Sequence, residues 1–272
     1  MRLKKLLLGL LFFATLQIHA QNGLPPFAGA KGIALGDVGV AFNDINSGFS
    51  NQAGLADLES FGVSVAAESR FALAAIKSFG AVAAYPTKSG TFALNLNNFG
   101  GEAYNEQRIG LAYARKLFDK LSIGAQFDFI NTSIENYGNK GLITFEIGFR
   151  SQLNKKLAIG GHFFSPARVA ITTEEVVPTV YKLGAQYFVS EKVEIYGEVE
   201  TDFDFPLQIK GGVQYAIIES LYLRAGVHTN PTLFNFGAGY NIKEAFAIDI
   251  AASYHQVLGF SPAISVSYFF QK

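Results

Sequence analysis

The chain has 272 residues, 49% of them hydrophobic and 16% charged, and Lys+Arg and Asp+Glu both number 22, so the formal net charge is zero. That apolar content excludes a disordered chain, the charge balance offers no nucleic-acid surface, and with no Cys there is neither a disulfide nor a thiolate metal site. A soluble domain carries nearer a quarter charged residues, yet no apolar run of spanning length comes after residue 20.

Residues 1–20 open with Arg2, Lys4 and Lys5, continue through an apolar stretch from Leu6 to Leu16, and end at His19 and Ala20. This order is that of a secretory signal peptide cut after Ala20; a membrane anchor would need ~20 apolar residues. Removal takes three positive charges and no negative ones, which leaves the mature chain at −3. The protein is expected to leave the cytoplasm.

Residues 21–60 differ in character from the rest of the chain. Positions 29–42 read GAKGIALGDVGVAF, Asn43 and Asp44 come next, and positions 51–56 read NQAGLA. A Gly/Ala-rich stretch can approach another surface closely.

From residue 61 the sequence alternates. Leu121, Ile123, Ala125, Phe127 and Phe129 interleave with Ser122, Gly124, Gln126 and Asp128. Val193, Ile195, Gly197 and Val199 interleave with Glu194, Tyr196, Glu198 and Glu200. A period of two marks a strand with one apolar face. Fourteen such segments fall at 61–67, 77–86, 90–98, 106–115, 120–131, 140–151, 155–165, 179–189, 192–201, 206–215, 220–228, 232–241, 244–254 and 262–270. Short connections (87–89, 116–119, 152–154, 190–191, 216–219, 242–243) alternate with mostly longer ones (68–76, 99–105, 132–139, 166–178, 202–205, 229–231, 255–261). Tight turns at one end, longer loops at the other and an even strand number predict an all-β, antiparallel transmembrane β-barrel of the bacterial outer membrane. Lipid is then its first partner. The competing reading, a soluble sandwich or barrel, would need a second sheet over the rows of Phe and Ile.

Four strands carry a G-x-x-Y pattern before a short turn, ending at Tyr113, Tyr187, Tyr215 and Tyr240. Residues three apart on a strand face opposite ways. Each Tyr is therefore expected in a periplasmic girdle facing lipid, where ring and hydroxyl suit the interface, with each Gly facing the lumen. The last strand places Ile264, Val266, Tyr268 and Phe270 on one face, similar to the assembly signal of outer-membrane barrels, but Gln271 and Lys272 come after it.

The inward set is polar: Arg108, Arg150, Lys182, Lys210 and Arg224 against Asp128, Glu146, Glu194, Glu198, Glu200 and Asp249, with Asn95, Gln126, His162, Gln186, Gln208 and Gln214 between them. Near-cancelling charges on neighbouring strands predict a luminal network that pins an inner segment to the wall; the alternative is a selective ion or solute path. Glu198, Glu200, Asp202 and Asp204 form an acidic ladder read as a solvated loop base. Ser253 and His255 share a strand face near Asp249 and read as a chance polar pair, not a nucleophile and base. No enzyme chemistry, cofactor, metal or nucleic-acid partner is expected.

The segment at 29–56 resembles the N-terminal signature of the PorV/PorQ family, a branch of the FadL-like outer-membrane barrels. Asn51, Ala53, Gly54 and Leu55 match its asparagine–proline–alanine–glycine–leucine motif, with Gln52 in place of proline. The resemblance implies a 14-stranded barrel at 61–272 with residues 21–60 folded into the lumen as a hatch. It also implies contact with secretion-system or cargo proteins in type IX secretion. The alternative is a FadL-like channel for small hydrophobic molecules. A lumen of this width needs a filling, since side chains alone fill barrels of ~8 strands.

Overall fold

A computed structural model describes residues 28–73, 75–166, 177–202, 205–243 and 245–270. The expected signal peptide, residues 21–27, Asp204, residues 167–176, Gln271 and Lys272 lie outside the described residues.

All fourteen expected strands form: β1 (Gly62–Ser69), β2 (Lys77–Thr87), β3 (Gly90–Gly100), β4 (Tyr104–Phe118), β5 (Leu121–Ile134), β6 (Gly138–Asn154), β7 (Leu157–Phe164), β8 (Val180–Phe188), β9 (Val193–Asp202), β10 (Phe205–Ile218), β11 (Leu221–His228), β12 (Leu233–Ile242), β13 (Phe246–His255) and β14 (Gly259–Phe269). Each pairs antiparallel with its sequence neighbours, and β1 pairs with β14, so the sheet closes and leaves no edge. The pleat sorts the alternation. On β5, Gln126 is 1% exposed and the adjacent Phe127 is 69% exposed. A polar inside under an apolar outside inverts the soluble pattern and matches a wall bathed in lipid.

The expected contrast in loop length is weaker than the sequence implied. The connection expected at 132–139 shrinks to 135–137, because Thr132 pairs with Lys140 and Ser133 with Asn139. Polar residues continue the ladder there; backbone pairing does not need apolar alternation. The β7–β8 connection, 165–179, stays long.

Residues 28–58 lie inside the ring. They comprise helix α1 (Gly29–Ala34) and two 3₁₀ turns, Ile45–Phe49 and Gln52–Asp57. Asp44 caps the first turn by accepting from the Asn46 amide, and Asn51 caps the second by accepting from the Ala53 amide. Phe42, Phe49, Leu35, Ile45 and Leu55 are among the largest fully buried side chains. The apolar core is therefore built by this segment within the barrel, not between two sheets. Its approach to the wall is backbone to backbone at Gly36, which has φ +85°. A Cβ on the facing Gly226 would stand 2.1 Å from the Gly36 nitrogen.

Candidate functional site

The inward residues of the wall meet the inner segment in three clusters. The first is on β4–β7. Register places Gln126 opposite Glu146, and Gly148 opposite His162. Glu146 accepts from Arg108 Nη1 at 2.8 Å and from Gln52 Nε2 of the inner segment at 2.7 Å, and faces His162 Nε2 at 3.0 Å. Asp128 accepts from Gln126 Nε2 at 2.8 Å and lies 3.9 Å from Arg108 Nε. Close by, Asn95 donates to the carbonyl of Gly48.

The second cluster is on β8–β10, where Lys182 is opposite Glu200 and Lys210 opposite Glu198. Lys210 Nζ stands 2.7 Å from Glu200, 3.1 Å from Asp37 of the inner segment and 4.0 Å from Glu198. Lys182 reaches Glu200 at 3.0 Å. The amides of Gly39 and Val40 both donate to Glu198 Oε2, at 2.8 and 2.9 Å. Burial in the lumen pushes the Asp37 carboxyl up, but Lys210, with Lys182 behind it, outweighs this and holds it below the ordinary aspartate range.

The third cluster centres on Arg150. Its Nε donates to the Ala41 carbonyl at 2.9 Å and its Nη1 to Asp57 at 3.2 Å; Lys116 reaches the same carboxylate at 2.8 Å. Asn51 Nδ2 donates to Val40 and to the wall carbonyl of Phe149. Ala53, Gly54 and Leu55 complete the buried turn that Asn51 caps.

Within the inner segment, Lys31 clips Asp44. Burial raises the Asp44 carboxyl pKa, and Lys31 together with the Asn46 amide lowers it further than that, to a net value below the ordinary range. Arg224, Asp249 and Gln214 form a separate wall-to-wall set through Asp249 Oδ1 and Gln214 Oε1.

Of the eleven charged luminal residues singled out from sequence, Glu146, Arg150, Glu198 and Lys210 touch the inner segment directly. Arg108, with Asp128 beside it, stands behind Glu146; Glu200, with Lys182 beside it, stands behind Lys210; Arg224 and Asp249 pair with each other, and Glu194 accepts from Gln186 and the Tyr196 hydroxyl. The acidic ladder is corrected: Glu198 and Glu200 are buried and paired with lysines, so they are not a solvated loop base. Gln208 sits at the rim and donates to the Asn230 carbonyl. Ser253 accepts from Asn235, while His255 Nδ1 accepts from the amides of Val257 and Leu258, so the two are engaged apart. Tyr187, Tyr215 and Tyr240 are exposed outward, and the Tyr113 hydroxyl donates to the Ser89 carbonyl in the short β2–β3 turn.

Asp37, Asp57, Lys116 and Ser265, which accepts from the Ala30 amide, escaped sequence reasoning. The lone acids in a Gly/Ala-rich run were the available signal, since a buried carboxylate needs a cation.

No protein-family model and no curated protein matches the sequence. Solved structures do match. The Ralstonia pickettii toluene transporter TbuX superposes with a TM-score of 0.72 at 13% identity, covering 89% of this chain and 98% of that one. A Pseudomonas aeruginosa FadL homologue gives 0.69 at 11% identity, covering 92% and 100%. The CymD monoaromatic hydrocarbon channel gives 0.69 at 15%, covering 90% and 98%. At such identities the likeness is one of fold. The chain has the fold of the FadL-like outer-membrane barrels; of these three matched structures one is a toluene transporter and one a monoaromatic hydrocarbon channel.

Proposed function

We propose that the chain is a non-enzymatic outer-membrane conduit for small hydrophobic molecules, exported by a cleaved signal peptide, with residues 21–60 acting as a hatch. The observation that carries this reading is a cluster of inward apolar side chains on the wall, separate from the apolar clusters that residues 28–58 build. Ile130, Leu142, Phe164, Val177 and Val180 are buried together at the long-loop end of the barrel. Inward apolar side chains at that mouth suit an apolar solute, and the matched channels for toluene and other monoaromatics share the fold. The three polar clusters then hold the hatch, and the four tyrosines form the periplasmic girdle. Uptake of toluene into proteoliposomes tests the reading. The intact protein should exceed empty vesicles, and Phe164→Asp should lower uptake about tenfold, since a desolvated charge in the path costs several kcal/mol. Uptake no faster than in empty vesicles sinks the proposal. Single-channel recording tests the hatch: deletion of residues 22–56 should raise conductance, and a large steady pore in the intact protein would count against it.

A second reading, protein contact of the PorV/PorQ type in type IX secretion, is favoured by the outer loops. Tyr137 is 88% exposed and Val257 84% exposed, each at a loop tip. Crosslinking and then detergent pull-down from outer membranes tests it: Tyr137→Ser with Val257→Ser should abolish recovery of a secretion-system or cargo protein.

A further inference from the structure

The short turns at one end of the barrel differ in charge. Residues 115–120, 152–157 and 189–193, at the β4–β5, β6–β7 and β8–β9 connections, carry six cations and two acids. The other three short turns carry Lys88, then Glu219, then Lys243 with Glu244, which is two of each sign. The three basic turns stand side by side on the rim. The Gln152 amide donates to the Lys120 carbonyl at 2.9 Å, and the Phe188 amide to the Lys156 carbonyl at 2.8 Å. Lys116 is paired with Asp57 of the inner segment, and Lys120 Nζ donates to the Leu153 carbonyl. Arg115, Lys155, Lys156 and Lys192 are exposed, and their side chains take no ion pair and no hydrogen bond among the described residues.

The same rim carries apolar side chains that the protein leaves uncovered. On β4, Lys116 and Phe118 are opposite Ser122 and Leu121, so Leu117 is an extra residue in the ladder. Leu153 is the extra residue where β6 meets β7. A bulge at a barrel rim re-aims the side chains around it. Leu117 is 46% exposed, Phe118 71% and Leu153 43%, and Val189 is exposed on the next turn. Apolar side chains interleaved with lysines suit a bilayer interface. The apolar group enters the acyl layer, and the long basic side chain reaches the headgroup.

We propose that this arc binds anionic phospholipid headgroups of the leaflet at the short-turn end. Arg115, Lys155, Lys156 and Lys192 meet the phosphates, and Leu117, Phe118 and Leu153 enter the acyl layer. A zwitterionic headgroup brings a phosphate that already has its own ammonium. An anionic headgroup brings a phosphate without one, which is what four unpaired cations fit. The proposal rests on the placement of the barrel in a membrane and not on the conduit reading, because the apolar cluster at Phe164 lies at the other end.

Electron paramagnetic resonance of the full-length protein in phosphatidylcholine bilayers tests it, with trace spin-labelled phosphatidylglycerol or spin-labelled phosphatidylcholine as the probe. The immobilised fraction of the label measures lipid held at the wall. One basic side chain near an anionic surface is worth about fivefold, so the average over the whole perimeter should favour phosphatidylglycerol about twofold at low salt. The preference should collapse in about 1 M salt, where the screening length is about 3 Å. Arg115→Gln, Lys155→Gln, Lys156→Gln and Lys192→Gln combined should abolish the preference and leave the total immobilised lipid unchanged. Lys77→Gln with Lys140→Gln, which removes exposed cations at the long-loop end, should leave the preference as in the wild type. Should the fourfold variant lose heat-modifiable gel mobility, Lys155→Gln with Lys156→Gln should remove about half of the excess. Equal association of the two lipids with the wild type overturns the proposal and leaves the arc to an acidic protein partner. A preference that survives in the folded variant, or that falls as far in the Lys77 and Lys140 variant, overturns it as well.

Discussion

The two halves of the inner segment hold the barrel wall by different chemistries. Residues 28–43 work mainly through backbone: the amides of Ala30, Gly39 and Val40 donate to Ser265 and Glu198, and the Ala41 carbonyl accepts from Arg150. Residues 44–58 work mainly through side chains: Asn51 on the Phe149 carbonyl, Gln52 on Glu146, Asp57 on Arg150 and Lys116. A backbone donor is available from any residue except proline. The first half therefore demands small residues that bring the chain close, and the second half demands particular side chains at particular positions.

The largest expected effect breaks the first half. Lys210 is the cation that Asp37, Glu198 and Glu200 share. Lys210→Met leaves buried carboxylates uncompensated and should cost about 3–5 kcal/mol, read as a lowered thermal midpoint in detergent. A midpoint unchanged from wild type would show that the second half alone carries the attachment. Next comes Gly226→Val. Its Cβ would meet the Gly36 nitrogen and, at 2.2 Å, the Leu35 carbonyl carbon. These are backbone atoms, so the inner segment must withdraw, at a cost of about 1–3 kcal/mol. Conductance should rise while the Gln52–Glu146 contact persists. A variant with unaltered stability and conductance removes the premise of close backbone approach.

This division explains what was legible in the sequence. The strands were legible because every second residue of β5 or β9 declares its face, and lipid outside makes that declaration strong. Strand ends were less legible: Lys140 and Asn139 continue β6 where water reaches both faces, so polarity there resembles a loop. Of the site, the wall charges were readable as an inward set, since alternation assigns them. Their partners were not. Nothing in the identities of Gly39, Val40 or Ala41 marks their backbone groups as the ones that Glu198 and Arg150 will bind. Asn51 and Gln52 were visible as a motif, but its proline-replacing residue read as a departure. In the structure Gln52 is the side chain that reaches Glu146.

That departure supplies the third prediction. Gln52 is the first residue of its 3₁₀ turn, a position that tolerates proline. Gln52→Pro removes a hydrogen bond to a charged group, worth about 1.5–3 kcal/mol, and regains about 0.4–1 kcal/mol by restricting the unfolded chain. A net loss of about 1 kcal/mol is expected in thermal denaturation. A stabilised variant would show that the second half is held by the turn's own geometry and not by its side chain on Glu146.

The smallest effect separates the halves by acid. Asp37 ties the first half to Lys210, and Asp44 clips to Lys31 within the segment. Both carboxyl pKa values lie below that of free aspartate, which is ~3.9. As pH falls past that value the unfolded chain takes up protons before the folded one does, so stability present at higher pH is lost toward the folded values. Asp37→Asn removes the contribution of the wall contact and leaves the Lys31–Asp44 clip in place. The thermal midpoint of the variant should therefore fall less steeply than wild type between pH 5 and pH 2, with Asp44 still contributing to the residual slope. Identical slopes would mean that Asp37 contributes no pH-dependent hold, leaving the backbone bonds to Ser265, Glu198 and Arg150 as the attachment of the first half.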